Sequence, residues 1–230
     1  MKQTLVKAVL FPVRGRQALS LSAGTLGLLL AGCIPLIPWQ KAVVKPAPRA
    51  ALAIYATRAD GTPLADAAVY LQALDTRRET DTLRAAHADT VDLIDRQFQP
   101  RIQIVHSGGS VVFNNLDDVE HDIYSFSTAP ALTLQLRPGQ SRRVIAPNHP
   151  MVLTLGCKIH NSMLAYMVVT DTTVFGTTDN NGFLRFGELP PGHYRVQLWY
   201  ADPHSGTRDE LADDVTATVG REQLVRLTLK

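Results

Sequence analysis

The sequence predicts an all-β protein built from two sandwiches, and three observations carry that prediction. Apolar and polar residues alternate over short stretches, as in "HYRVQLWY", where Tyr194, Val196, Leu198 and Tyr200 fall on one face and Arg195 and Gln197 on the other. Turn signals recur between such stretches at Gly108-Gly109, Pro138-Gly139, Asn181-Gly182 and Pro190-Pro191-Gly192. Among the 230 residues only 81–97, "DTLRAAHADTVDLIDRQ", reads as a helix. Strands without helices to cover them bury their apolar faces against one another, so sandwiches follow.

Residues 1–32 read as an export signal. "MKQTLVKAVLFPVRGRQ" carries Lys2, Lys7, Arg14 and Arg16 without an acid, and the uncharged run "ALSLSAGTLGLLLAGC" follows. That run is short for a spanning helix, although a retained anchor stays open. Leu30, Ala31, Gly32 and Cys33 resemble the lipobox of bacterial lipoproteins, which implies cleavage before Cys33 and a lipid on its sulfur. The competing reading is an ordinary signal cut later, near "APRAALA". Removal of the leader leaves 19 basic against 21 acidic residues, a net charge of −2 with no basic run. Nucleic-acid binding has no electrostatic support. With Cys33 lipidated, Cys157 has no disulfide partner, and a free thiol in an oxidising compartment calls for burial or a metal.

Residues 33–50 hold four prolines and no strand or helix period, as expected of a tether. Strand-like runs follow: "AAVYLQAL", "RIQIVHSGGSVVFNN", "LTLQLRPGQSRRVIA", "MVLTLG" and "LAYMVVT". The phrase "DGTPLADAAVYL" at 60–71, taken with "TTDNNGFLRFGELPPGHYRVQLWY", resembles the carboxypeptidase-regulatory-like (transthyretin-like) sandwich. Its two halves stand more than a hundred positions apart. One arrangement splits that sandwich between 51–80 and 171–230 around an inserted domain at 81–170, whose ends then lie close together. The other is two domains in series. The insertion predicts that 60–71 and 183–200 share sheets.

"GCKIHNSM", residues 156–163, gathers Cys157, His160 and Met163 within seven positions of a chain with two cysteines and four methionines. Thiolate, imidazole and thioether are soft or borderline donors, suited to copper rather than calcium or magnesium. Zinc fits poorly, with no second cysteine available. A blue-copper site needs a second histidine, and His121 in "VVFNNLDDVEHDIYSFS" supplies the candidate. His87, His106, His149, His193 and His204 have no partner spacing, His149 being a surface or outer-sphere residue.

An F-x-N-x…H segment, a Pro-Gly turn and a strand entering Cys-x2-His-x2-Met resemble the cupredoxin family, with the short Cys–His–Met loop of amicyanin. "QFQPRIQIVHSGGSVVFNNLDDVEHDIYSFS" and "GCKIHNSMLAYM" also resemble exported bacterial proteins called methylamine-utilization or plastocyanin-like proteins. The fold so implied is a cupredoxin-like Greek-key sandwich beside a smaller transthyretin-like one. The resemblance makes His121, Cys157 and His160 equatorial ligands of one type-1 copper and Met163 the axial ligand. Where the family commonly has Asn after the first histidine, this chain has Asp122, a carboxylate that would alter charge near the metal. Ile159, Met163 and Leu164 are expected to form an apolar rim around His160. Asp117, Asp118, Glu120 and Asp122 either steer a basic partner or are a solvated loop.

The function these features imply is single-electron transfer between exported redox partners, a cytochrome c or a dehydrogenase. The protein would be held by its lipid on the periplasmic side of a bacterial membrane, the outer one favoured, with a soluble periplasmic form as the alternative. No enzyme is expected, since no nucleophile elbow or second copper cluster is present. Copper delivery and a metal-free adaptor role are the competing readings.

Overall fold

This computed structural model describes residues 49–75, 89–126 and 132–230. The expected leader, Cys33 and nearly all of the tether lie outside the described residues, as do positions 81–88 of the stretch read as helix.

The all-β expectation holds: every regular element among the described residues is a strand. In chain order these are β1 (Ala50–Arg58), β2 (Ala68–Ala73), β3 (Asp89–Ile94), β4 (Gln97–Gln99), β5 (Ile102–His106), β6 (Ser110–Asn115), β7 (His121–Ser125) and β8 (Thr133–Leu136). They continue as β9 (Ser141–Ile145), β10 (Met151–Cys157), β11 (Leu164–Thr170), β12 (Val174–Thr177), β13 (Phe183–Leu189), β14 (Gly192–Ala201), β15 (Arg208–Ala217) and β16 (Glu222–Leu229).

One sandwich faces the sheet β4-β3-β6-β9 against the sheet β5-β11-β10-β7-β8. Val91, Leu93, Val111, Phe113, Ile123, Leu155 and Met167 fill the space between them. The described part of the expected helix, 89–97, is instead β3 and the turn into β4. Val91 and Leu93 both point into this core, which is the period of a strand, and β3 pairs in parallel with β6. That distant pairing overrides the modest helical preference of a short stretch. The turns at Gly108-Gly109 and Pro138-Gly139 occur where expected, but each carries the chain from one sheet to the other rather than closing a hairpin.

The other sandwich faces β13-β1-β16 against β12-β2-β14-β15. Ile54 on β1 stands opposite Leu184 on one side and Val225 on the other, and Leu71 on β2 stands opposite Val196 on β14. Strands from residues 50–73 therefore share sheets with strands beyond residue 174. The alternation read in β14 is seen directly, with Tyr194, Val196, Leu198 and Tyr200 in this core. The Asn181-Gly182 turn lies hard against β1. Gly182 has φ +71, and a Cβ there would stand 2.3 Å from the Ala56 carbonyl oxygen, so only glycine fits.

A third apolar cluster joins the two sandwiches. On β11, Ala165, Met167 and Val169 face the first core, while Tyr166 and Val168 face away and pack with Ile102, Ile104, Ala68, Trp199 and Ala201. This two-sided burial explains why "LAYMVVT" reads as an unbroken apolar run instead of an alternating one. The Tyr166 and Trp199 rings meet with centroids 5.0 Å apart in an edge arrangement. Arg101 lies over the Tyr166 ring and donates to the Ala201 carbonyl at 2.5 Å, tying β14 to the first sandwich.

Candidate metal centre

Cys157 is the last residue of β10 and His121 the first of β7. These neighbouring strands run antiparallel, with Cys157 opposite Ile123. Alternation turns Cys157 inward with Leu155, and His121 inward with Ile123, so a thiol and an imidazole meet at one end of the core. His160 joins them from the loop that leads into β11. That loop is pinned by the Lys158 N–H on the Asp122 carbonyl at 2.9 Å and the Met163 N–H on the His160 carbonyl at 3.1 Å.

The Cys157 Sγ lies 3.8 Å from Nδ1 of His121 and 3.8 Å from Nδ1 of His160. The donor atoms of all three residues lie within 4.8 Å of one another. With metal–sulfur and metal–nitrogen bonds near 2.3 and 2.0 Å, a 120° angle separates the two donors by about 3.7 Å and a tetrahedral angle by about 3.5 Å. Both sulfur–nitrogen separations therefore suit a metal ion shared between the thiol and an imidazole, and the softness of the donors fits copper. His121 and Cys157 are buried, whereas His160 is half-buried. Met163 is buried in the same core cluster as Cys157. It is 3% exposed, so it is no part of a surface rim, and the expected rim reduces to Ile159 and Leu164.

A network that the motifs did not reveal orients His121. Its Nε2 lies 2.9 Å from an Asp117 carboxylate oxygen. A carboxylate only accepts, so Nε2 carries the hydrogen and the Nδ1 lone pair is left facing Cys157. Asp117 is itself gripped by the backbone N–H groups of Asp95 at 2.7 Å and Arg96 at 2.9 Å. Asp95 and Arg96 form the two-residue turn between β3 and β4, with φ of 53 and 56. Two left-handed residues aim both amides to one side, a strained choice for a non-glycine pair.

Burial pulls the Asp117 carboxyl upward, but the amide of Arg96, the His121 ring and the amide of Asp95 outweigh it, and the group titrates below its ordinary range. Asn115 shapes the loop: its side chain donates to the Val119 carbonyl at 2.7 Å and the Leu136 carbonyl at 3.0 Å, and accepts from the Asp117 N–H at 3.0 Å. The one sequence signal for this network was the i, i+4 spacing of Asp117 and His121.

Asp122, the residue expected to alter charge at the metal, points outward and pairs with Lys158 at 3.1 Å. Glu120 accepts from Gln135 and stands 3.8 Å from Arg137. Three of the four acids around His121 thus have partners within the protein, which weakens the reading of that loop as a steering surface. His149 is exposed, and its Nδ1 lies 3.2 Å from the Asn148 side-chain oxygen. Burial, His121 and Arg96 lower the His160 pKa against the opposing pull of Asp117, which favours the neutral ring a metal needs.

Asp117→Asn is expected to weaken metal binding about 10- to 100-fold, because an amide can present its NH2 to Nε2 and release the tautomer. Competition against a chelator of known affinity measures it. Unchanged affinity would remove Asp117 from the site's design.

No protein-family model and no curated protein matches this sequence. Among solved structures the chain is similar to a reduced amicyanin variant, at 16% identity over 44% of this chain and 99% of that one, with a TM-score of 0.34. It is similar to a purple cupredoxin from Nitrosopumilus maritimus at 17% identity, over 36% of this chain and 99% of that one, with a TM-score of 0.32. A Cu-containing nitrite reductase from Thermus scotoductus is 19% identical over 43% of this chain, with a TM-score of 0.34, and the match spans 25% of that longer chain. These are likenesses of part of the chain at low identity, and the chemistry assigned to it rests on its own side chains.

Proposed function

We propose that this chain is a single-copper electron carrier, with His121, Cys157 and His160 in the metal plane and Met163 as the axial donor. The observation that carries the reading is the convergence of one thiol and two imidazole nitrogens within 4.8 Å at the end of a sandwich core. Copper would supply reversible one-electron chemistry between its two common oxidation states. The protein's share is to hold the donors fixed. β7 and β10 hold His121 and Cys157, Asp117 fixes the His121 tautomer, and the core excludes water from the thiol.

Burial of His121 and Cys157 favours an electron carrier over copper delivery, because a metal handed to another protein needs accessible donors. The reading is non-enzymatic, as it needs only an edge for electrons and no substrate cavity. The partners are taken to be exported one-electron redox proteins, a cytochrome c or a dehydrogenase such as the resemblance to methylamine-utilization proteins suggests. The membrane tether is part of the proposal and rests on the lipobox-like "LLAGC". Cys33→Ser should move the protein from the membrane fraction to the soluble one; retention in the membrane would overturn the lipid anchor.

The test of the whole reading is a Cu(II) titration followed by visible absorption. An intense band saturating at one equivalent supports the carrier. Weak binding without that band would turn the assignment to delivery or to a metal-free role.

A further inference from the structure

An open sheet ends in strands whose outer backbone groups have no strand to pair with, and such edges invite another chain unless something blunts them. Among the described sheets, three of these edges belong to strands of seven or more residues: β13, β15 and β16. Glu188, with φ +58, breaks the line of β13 near its end. β15 sets Asp209 and Asp213 opposite Tyr200 and Val196, so both carboxylates lie on the core side of that edge. β16 has neither device. Val225, Leu227 and Leu229 fill its core side, and no proline interrupts Glu222–Leu229.

The β16 edge is also matched to itself. The Ala51 N–H donates to the Arg221 carbonyl at 3.2 Å in a parallel ladder. The odd-numbered residues of β16 therefore bond to β1, and the even-numbered ones turn their N–H and C=O groups outward. The side chains of Glu222, Leu224 and Arg226 are exposed on one face, and Leu224 is 50% exposed. Arg226 lies over the Tyr55 ring and has no ion pair among the described residues. Antiparallel pairing of two copies about Leu224 sets Glu222 opposite Arg226 twice and Leu224 opposite Leu224, with the facing backbone groups bonded to each other. A slip by two residues either way sets a charge against Leu224. We propose that two copies of this chain associate through β16 in that register, joining the two β13-β1-β16 sheets into one of six strands. Glu222 already holds Arg185 at 2.5 Å and keeps a second carboxylate oxygen for the arginine of the other copy. The contact needs no metal, so it stands apart from the copper reading.

Sedimentation velocity of the full chain in a density-matched, uncharged detergent tests the pairing. The parent chain should be a dimer at about 100 μM. Leu224→Pro should leave a folded monomer, because its amide faces the open edge and proline there removes no internal hydrogen bond. Far-ultraviolet dichroism is the control for folding. Arg226→Glu and Glu222→Arg each set like charges opposite one another at both ends of the contact, and each alone should weaken the dimer at least about tenfold. Mixed together, the two variants again oppose unlike charges, and the dimer should return. A parent chain that stays monomeric, or variants that dimerise as it does, overturns the β16 contact. Failure of the mixture to recover the dimer overturns the register.

Discussion

Cys157→Ser should erase the visible band and weaken copper binding by more than roughly 100-fold. Loss of an outer-sphere partner alone costs 10- to 100-fold at such sites, and Cys157 is the one thiol among the three donors that converge there. Serine places a hard, protonated oxygen where the metal needs a soft thiolate, and it cannot give the sulfur-to-copper transition that makes such sites intensely coloured. The substitution is close in volume, and Cys157 is buried beside Leu155 and Met163. The fold should therefore survive, and an unchanged far-ultraviolet dichroism spectrum is the control. An intense band that persists in the variant would show that the metal sits elsewhere.

Trp199→Ala should cost about 3–5 kcal/mol of stability, the range for truncating a buried large aromatic. Trp199 is 2% exposed and sits between two sheets rather than within either core. Its removal leaves the edge of Tyr166 unpacked and opens a space that two rigid sheet faces cannot close. Urea unfolding should show one transition in the parent protein and, in the variant, a lower midpoint or a split into two transitions as the sandwiches uncouple. A loss below about 1 kcal/mol would mean that this cluster does not join the sandwiches. Metal affinity should hardly change, because Trp199 touches none of the donors.

The two aromatic positions of β14 illustrate what pattern reading reaches. Tyr200 and Trp199 are adjacent and opposite in direction. Alternation assigns Tyr200 to a core, and it is there. The same alternation puts Trp199 beside Arg195 and Gln197 on the polar face, yet it is buried as deeply. Nothing local announces the second sheet that lands on it. The helix read at 81–97 failed for a related reason: over its described part Val91 and Leu93 belong to a strand whose partner, β6, begins some twenty residues later.

The candidate donor side chains divide the same way. Cys157 and His160 were legible because a short loop is a local object, and three residues of spacing already bring a thiol and an imidazole within reach. His121 was legible through the residues before it. Asp117 was not distinguishable from Asp118, Glu120 or Asp122, since four acids in one loop look alike until the turn at Asp95-Arg96 and the side chain of Asn115 select one. Asp122 adjoins His121 in sequence but points the other way, toward Lys158.

What the sequence alone determined is what depends on neighbours in the chain: strand periods, turn positions, the donor-bearing loop and the softness of its donors. The tertiary structure decided which carboxylate holds His121, which tryptophan face is buried, and which long sheet edge is left without a charge or a bulge to close it. Each of these depends on a surface brought from a distant part of the chain, and the energy of that contact exceeds any preference the residue expresses on its own.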